Sequence, residues 1–209
     1  MLSSFAMAVA AMIAVVAASN YLVQFPVEFV IAGANLADVL TWGAFTYPAA
    51  FLVTDLTNSH FGPRRARQVA LFGFVMAVIL SIWLASPRIA IASGSAFLLA
   101  QLIDVQVFHR LRDRQWWMPP LASSLIATTL DTLVFFSLAF APAFGFLDTA
   151  FARADNSLGF PTALLWVGPD VPLFLSLALG DFIVKLSVGI FFLIPYRALR
   201  SPSPTPRPI

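Results

Sequence analysis

Four aspartates lie inside long apolar stretches of this chain: Asp55, Asp104, Asp131 and Asp181. A charge near the centre of a bilayer costs about 2.5–3.5 kcal/mol on insertion scales, so such residues face a bundle interior and mark pathways or binding sites. Each has polar company at helical spacing. Asp55 is flanked by Thr54, Thr57 and Asn58. Gln101 and Asp104 are three apart and share a face. Ser124, Thr128, Asp131 and Phe135 follow at spacings of four, three and four, which makes a largely polar stripe. Asp181 and Lys185 are four apart, as are Asn20 and Gln24. A carboxylate here can accept a pair of N–H donors, hold an ammonium or carry a proton. Structural roles stay open beside these. Asp181 and Lys185 neutralise one another within a helix, or one of them meets a substrate. Asp55 and Asp104 clasp basic residues such as Arg64 or Arg110, or line a cavity. Asn20 and Gln24 tie their helix to a neighbour, or bind a ligand. Several inward acids with few basic partners favour a polar cavity.

The elements that position these residues follow from composition. Of 209 residues, 60% are hydrophobic and 11% are charged. Soluble domains carry about 45–50% apolar and about 25% charged residues, so this balance requires a lipid-facing surface. Phenylalanine contributes 21 residues. With about 20 residues per membrane helix, the apolar runs predict an all-α membrane protein of six transmembrane helices in a single domain, 1–200. The helices are expected over 3–25, 42–61, 69–85, 89–108, 119–140 and 171–194. Pro26, Gly62-Pro63 and Ser86-Pro87 act as breakers. A longer loop over 141–170 is expected to hold an interfacial segment around 160–167, and 201–209 reads as a disordered cytoplasmic tail. Arg64, Arg65, Arg67, Arg110, Arg112, Arg114, Arg197, Arg200 and Arg207 fall on one side of this topology, against Arg88 and Arg153 on the other. The positive-inside rule then places both termini in the cytoplasm. The N-terminal apolar run has no basic n-region and exceeds signal-peptide length, so it reads as a first membrane helix.

Several function classes are disfavoured. The chain has no cysteine, which excludes disulfide and thiolate–metal chemistry. His60 and His109 stand at helix ends without metal-ligand spacing, so neither a catalytic site nor a metal site is assigned. No Gly-rich Lys-Ser/Thr phosphate loop is present. A net charge of +2, with the arginines in short loops, gives no case for nucleic-acid binding. Ala6, Ala10, Ala14 and Ala18, each four apart, permit close packing of the first helix on another helix or subunit.

Longer strings narrow the field. Ser19-Asn20-Tyr21-Leu22-Val23-Gln24 is followed by Thr41-Trp42-Gly43-Ala44-Phe45, Pro48, Phe51-Leu52-Val53-Thr54-Asp55-Leu56-Thr57 and Phe61-Gly62. Arg88-Ile89-Ala90, Ala92-Ser93, Gln101, Asp104-Val105, Arg110-Leu111-Arg112, Trp116-Trp117, Pro120, Ser123, Asp131-Thr132, Asp181 and Lys185 continue the series. From about Asn20 to Pro195 this order resembles the bacterial queuosine-precursor transporters of the vitamin uptake transporter family. Two departures are a longer 28–40 segment and Phe182 in place of tyrosine. The resemblance implies a multi-pass inner-membrane importer of 7-cyano- or 7-aminomethyl-7-deazaguanine for tRNA modification, with no cofactor. For such a base, Asp131 or Asp55 would take the N–H edge, and Asn20, Gln24, Gln101 or Lys185 the carbonyl. Trp42, Phe45 or Tyr47 would stack on the ring. Asp104, Asp181 and Lys185 are the expected ion-pair or proton-coupling groups. The rival reading is the substrate-capture subunit of an energy-coupling-factor importer, which acts with an ATPase module. A homo-oligomer is left open.

Overall fold

The computed structural model describes residues 2–31, 33–150 and 158–200; the tail expected over 201–209 lies outside these. Nine helices in chain order carry the fold among the described residues: α1 (Leu2–Leu22), α2 (Gly43–Thr46), α3 (Ala49–Phe61), α4 (Pro63–Leu84), α5 (Pro87–Leu111), α6 (Met118–Phe140), α7 (Phe146–Ala150), α8 (Leu173–Phe191) and α9 (Leu193–Leu199). Two small antiparallel hairpins lie in the connections, β1 (Val30–Ile31) with β2 (Ala34–Asn35), and β3 (Pro161–Ala163) with β4 (Asp170–Pro172). Five stretches are long and apolar enough to cross a membrane: Ser4–Leu22, Pro63–Leu84, Pro87–Leu111, Met118–Phe140 and Leu173–Leu199. Leu71, Phe72, Ile79, Trp83, Leu125, Leu133, Leu179 and Ile190 are exposed on them, as expected of surfaces that meet acyl chains. The chain is therefore a helical, multi-pass membrane protein.

The helix expected over 42–61 is divided. Pro48 has no N–H to return to the carbonyl of Ala44, and α2 ends at Thr46 before α3 begins at Ala49. Tyr47 and Pro48 keep helical backbone angles, so the axis is interrupted rather than reversed. The last expected span is likewise divided into α8 and α9 around Phe192. The third begins earlier than expected. Pro63 occupies the first turn of α4, where a missing N–H costs nothing. Arg64, Arg65 and Arg67 therefore sit on the opening turns of a helix and not in a loop. The segment expected to be interfacial forms β3 and a tight turn. Leu165 packs there against the apolar cluster of Val27, Val39, Leu40 and Ala44, and Trp166 Nε1 donates to Asp38 Oδ2 at 3.4 Å.

The helices pack through small residues. Met12 and Val16 of α1, Ala50 of α3, Val69 and Ala77 of α4 and Phe97 of α5 form the largest apolar core. Gly73 is required at its centre, because an added Cβ would stand 2.7 Å from Met12 Cγ and 3.0 Å from Phe97 Cζ. Gly73→Val is expected to cost about 1–3 kcal/mol through overpacking, read as a lower melting temperature in detergent. Met12→Ala in the same chain should recover part of that loss, since it empties the contested volume.

Candidate functional site

Residues from six helices meet in one cavity. Its lining includes Ser19, Asn20 and Gln24 at the end of α1, Gly43 and Tyr47 at the α2–α3 break, and Ser81 and Ala85 at the end of α4. Ser93 and Ala96 from early α5, Asp131 and Phe135 from α6, and Asp181 and Lys185 from α8 complete it. The space between these residues is about 780 Å³ with its open mouth included. The elements set its polarity. α1 and α4 reach the cavity with their C-terminal ends and α5 with its N-terminal half, so it opens away from the arginines at the start of α4 and the end of α5.

Charge in the cavity is organised around Lys185. Its ammonium donates to Asp131 Oδ2 at 2.8 Å and contacts Asp181 Oδ2 at 2.6 Å. The ammonium also lies 4.6 Å from the centroid of the Tyr47 ring, whose hydroxyl donates to Asp131 Oδ1 at 3.0 Å. Thr132 Oγ1 donates to Asp181 Oδ2 at 3.5 Å. With both carboxylates ionised, the group of three carries one net negative charge. A buried cation held this way satisfies the requirement that intramembrane charge be paired. Beside it, Asn20 Nδ2 donates to the Val16 carbonyl of its own helix, which leaves its amide oxygen free of that bond. Ser19 Oγ donates to Thr46 Oγ1 at 3.0 Å and fastens α1 to α2.

The sequence-predicted residues divide into two groups. Asn20, Gln24, Asp131, Asp181 and Lys185 line the cavity together. Asp55, Gln101 and Asp104 do not. They lie deeper toward the arginine-bearing ends, packed among α3, α5 and α6. Thr54 Oγ1 donates to Asp104 Oδ2 at 3.3 Å, and Ser123 Oγ donates to Asp55 Oδ1 at 3.5 Å. The arginine clasp considered for these acids does not form, since neither is in an ion pair among the described residues. Arg67 instead donates to Gln106 Oε1. Trp42 and Phe45 lie beside the cavity rather than on its lining, 5.7 Å apart and tilted by 44°. The aromatic rings on the lining are those of Tyr47 and Phe135. Ser81 and Ser93 also line it without having been singled out as ligands, because lone serines in apolar helices carry little signal.

Comparison with known proteins gives a consistent family. The family model described as "Putative vitamin uptake transporter" matches residues 41–86 and 80–199. The "Queuosine precursor transporter" of Escherichia coli is 33% identical over 205 residues, covering 87% of this chain and 79% of its own length. The "Probable queuosine precursor transporter" of Haemophilus influenzae is 32% identical over 208 residues, with the same coverage of 87% and 79%. A protein of the same name from Bacillus subtilis is 30% identical over 128 residues, 48% of this chain and 56% of that protein. No solved structure matches the chain significantly.

Proposed function

The chain belongs to the vitamin uptake transporter family, and from that premise we propose that it imports a 7-deazaguanine precursor of queuosine across the bacterial inner membrane. The cavity that opens opposite the arginine-bearing helix ends carries this reading, because the positive-inside rule makes that opening the outer side. The names of the relatives supply the substrate class. On this reading α2 and α3 together form one span, which makes six spans with both termini cytoplasmic. The described chain up to Arg200 forms one transmembrane domain.

The lining has the chemistry a deazaguanine needs. Asp131 or Asp181 accepts the two adjacent N–H groups of the base edge in a fork. The carbonyl is taken by Asn20, Gln24 or Lys185, all on the lining. Tyr47 or Phe135 stacks on the flat ring. Asp55 and Gln101 then act away from the bound base, and Trp42 and Phe45 support the mouth.

The test is rescue. The chain is expressed alone in a bacterium that can neither make nor import these precursors, a deazaguanine is supplied at low concentration, and queuosine is measured in tRNA. Restored queuosine that Asp131→Ala abolishes at normal membrane abundance is the expected result. One observation favours the rival reading of a capture subunit: Ala6, Ala10, Ala14 and Ala18 are all exposed, a smooth stripe on the outside of α1. A well-folded chain that binds the precursor but fails to rescue alone would favour that rival.

A further inference from the structure

Asp131 and Asp181 share the charge of Lys185, but among the described residues the other two intramembrane acids are in no ion pair. Asp55 of α3 and Asp104 of α5 are 2% and 0% exposed. Thr54, the neighbour of Asp55 in α3, donates to Asp104 Oδ2, and Ser123 donates to Asp55 Oδ1, which sets the two carboxyl groups beside each other. Among the described residues, the charged and titratable groups on the elements packed around them have other contacts, Arg200 after α9 lying 6.0 Å from the Trp116 ring centroid. Tyr196 of α9 lines the same crevice as Asp55. Asp131 of α6 bonds Lys185 and Tyr47, and Arg67 of α4 bonds Gln106. His60 of α3 bonds the Leu199 carbonyl, and His109 is a full turn beyond Asp104 on α5. Two carboxylates in contact in a dry site cannot both stay ionised.

A second observation points to a missing hydrogen at the same place. Asp104 Oδ1 is buried without a hydrogen-bond partner. One turn away on the same face of α5, both amide atoms of Gln101 are also buried without partners, and the residue is 0% exposed. Buried polar atoms normally find a partner. A proton on one carboxyl turns an acceptor–acceptor contact into an O–H···O bond.

We propose that Asp55 and Asp104 form a proton-binding site that holds one proton between them. Its position suits coupling. Asp55 lines a narrow crevice with Pro48, Leu52, Pro120, Phe192 and Tyr196, on the arginine side of the molecule. Tyr47, the residue before Pro48, lines the outer cavity. Between the two spaces, the ring of Tyr47 packs edge-on against Phe51 and Phe97 at about 6 Å. Asp55 reaches the inner crevice, and Asp104 lies fully buried behind it. The coupling role rests on the import reading above, whereas the bound proton does not.

Infrared spectroscopy of the purified full chain in lipid at neutral pH tests the site without any substrate. A protonated-carboxyl band is expected in the wild type and should vanish in Asp55→Asn with Asp104→Asn. If that double variant does not fold, either single variant should shift the band. No band in the wild type, or a band unchanged by these substitutions, overturns the site. Coupling is read in liposomes with labelled 7-aminomethyl-7-deazaguanine. One pH unit, acid outside, is worth about 1.4 kcal/mol per proton and supports about tenfold accumulation. Asp104→Asn should lose that accumulation while still exchanging labelled for unlabelled substrate. A wild type that exchanges but ignores the gradient overturns the coupling and leaves import standing. A wild type that does not exchange overturns the import reading, and with it the coupling, while the infrared result still decides the site.

Discussion

Lys185→Met is expected to abolish uptake and lower the amount of folded protein together. Lys185 is 7% exposed, and its ammonium is the shared partner of Asp131 and Asp181, 54 and four positions away. Removing it leaves the two carboxylates facing each other without their shared cation. Breaking a buried pair by deleting one partner costs about 3–5 kcal/mol, because the surviving charge stays buried. That is a loss of about two orders of magnitude or more in the property measured. Melting temperature in detergent, membrane abundance and uptake of labelled precursor are the three readouts. Adding Asp131→Asn to Lys185→Met should recover stability without recovering uptake, because it removes one of the stranded charges but not the need for a donor. Additive losses would show that the two side chains do not act as one unit.

Arg88→Met is expected to have the second largest effect, on folding rather than on substrate. Arg88 stands in the first turn of α5, where the helix dipole disfavours a cation. Its side chain leaves that end and reaches the C-terminal end of the antiparallel α6. Nη2 donates to the Ala141 carbonyl at 2.7 Å and Nε donates to the Leu138 carbonyl at 2.8 Å. Those carbonyls belong to the end of a helix that has no partners of its own for them. Nη1 donates to Asp148 of α7, an ion pair with both side chains buried. Loss of the guanidinium strands Asp148 and two carbonyls at once, so about 3–5 kcal/mol should be lost. Arg88→Lys should rescue little, because one ammonium cannot reproduce a three-way planar fork. The measurement is thermal stability in detergent together with uptake per folded molecule, which should fall much less than abundance does.

The sequence made some of this visible and hid the rest for identifiable reasons. Long apolar runs marked the five long spans because lipid exposure demands them, and Asp181 with Lys185 was legible because a helix brings positions four apart together. Asp131 joins that pair from another helix, and nothing local records it. The same holds for Arg88 and Asp148, separated by 60 positions. Asp55 and Asp104 were each recognisable as acids that lipid rejects. Their meeting was not, and the many arginines nearby in sequence suggested the wrong partners. Pro48 interrupts a helix without leaving a gap in the pattern, because the apolar run continues on both sides of it. Pro63 at the start of α4 was a readable signal for an earlier helix. The three arginines that follow it are of the kind that usually marks a cytoplasmic loop, which masks that signal.

The thirteen residues of α3 have a consequence for how the protein is made. They carry Thr54, Asp55, Thr57 and Asn58 on the buried side, and Asn58 Nδ2 donates to the Val105 carbonyl of α5 at 2.9 Å. A segment this short and this polar gains little by entering lipid on its own. Its partners, Asp104 and Val105, are synthesised some fifty residues later. Integration of α3 therefore waits on the synthesis of α4 and α5, and α3 settles only once α5 is there to receive it.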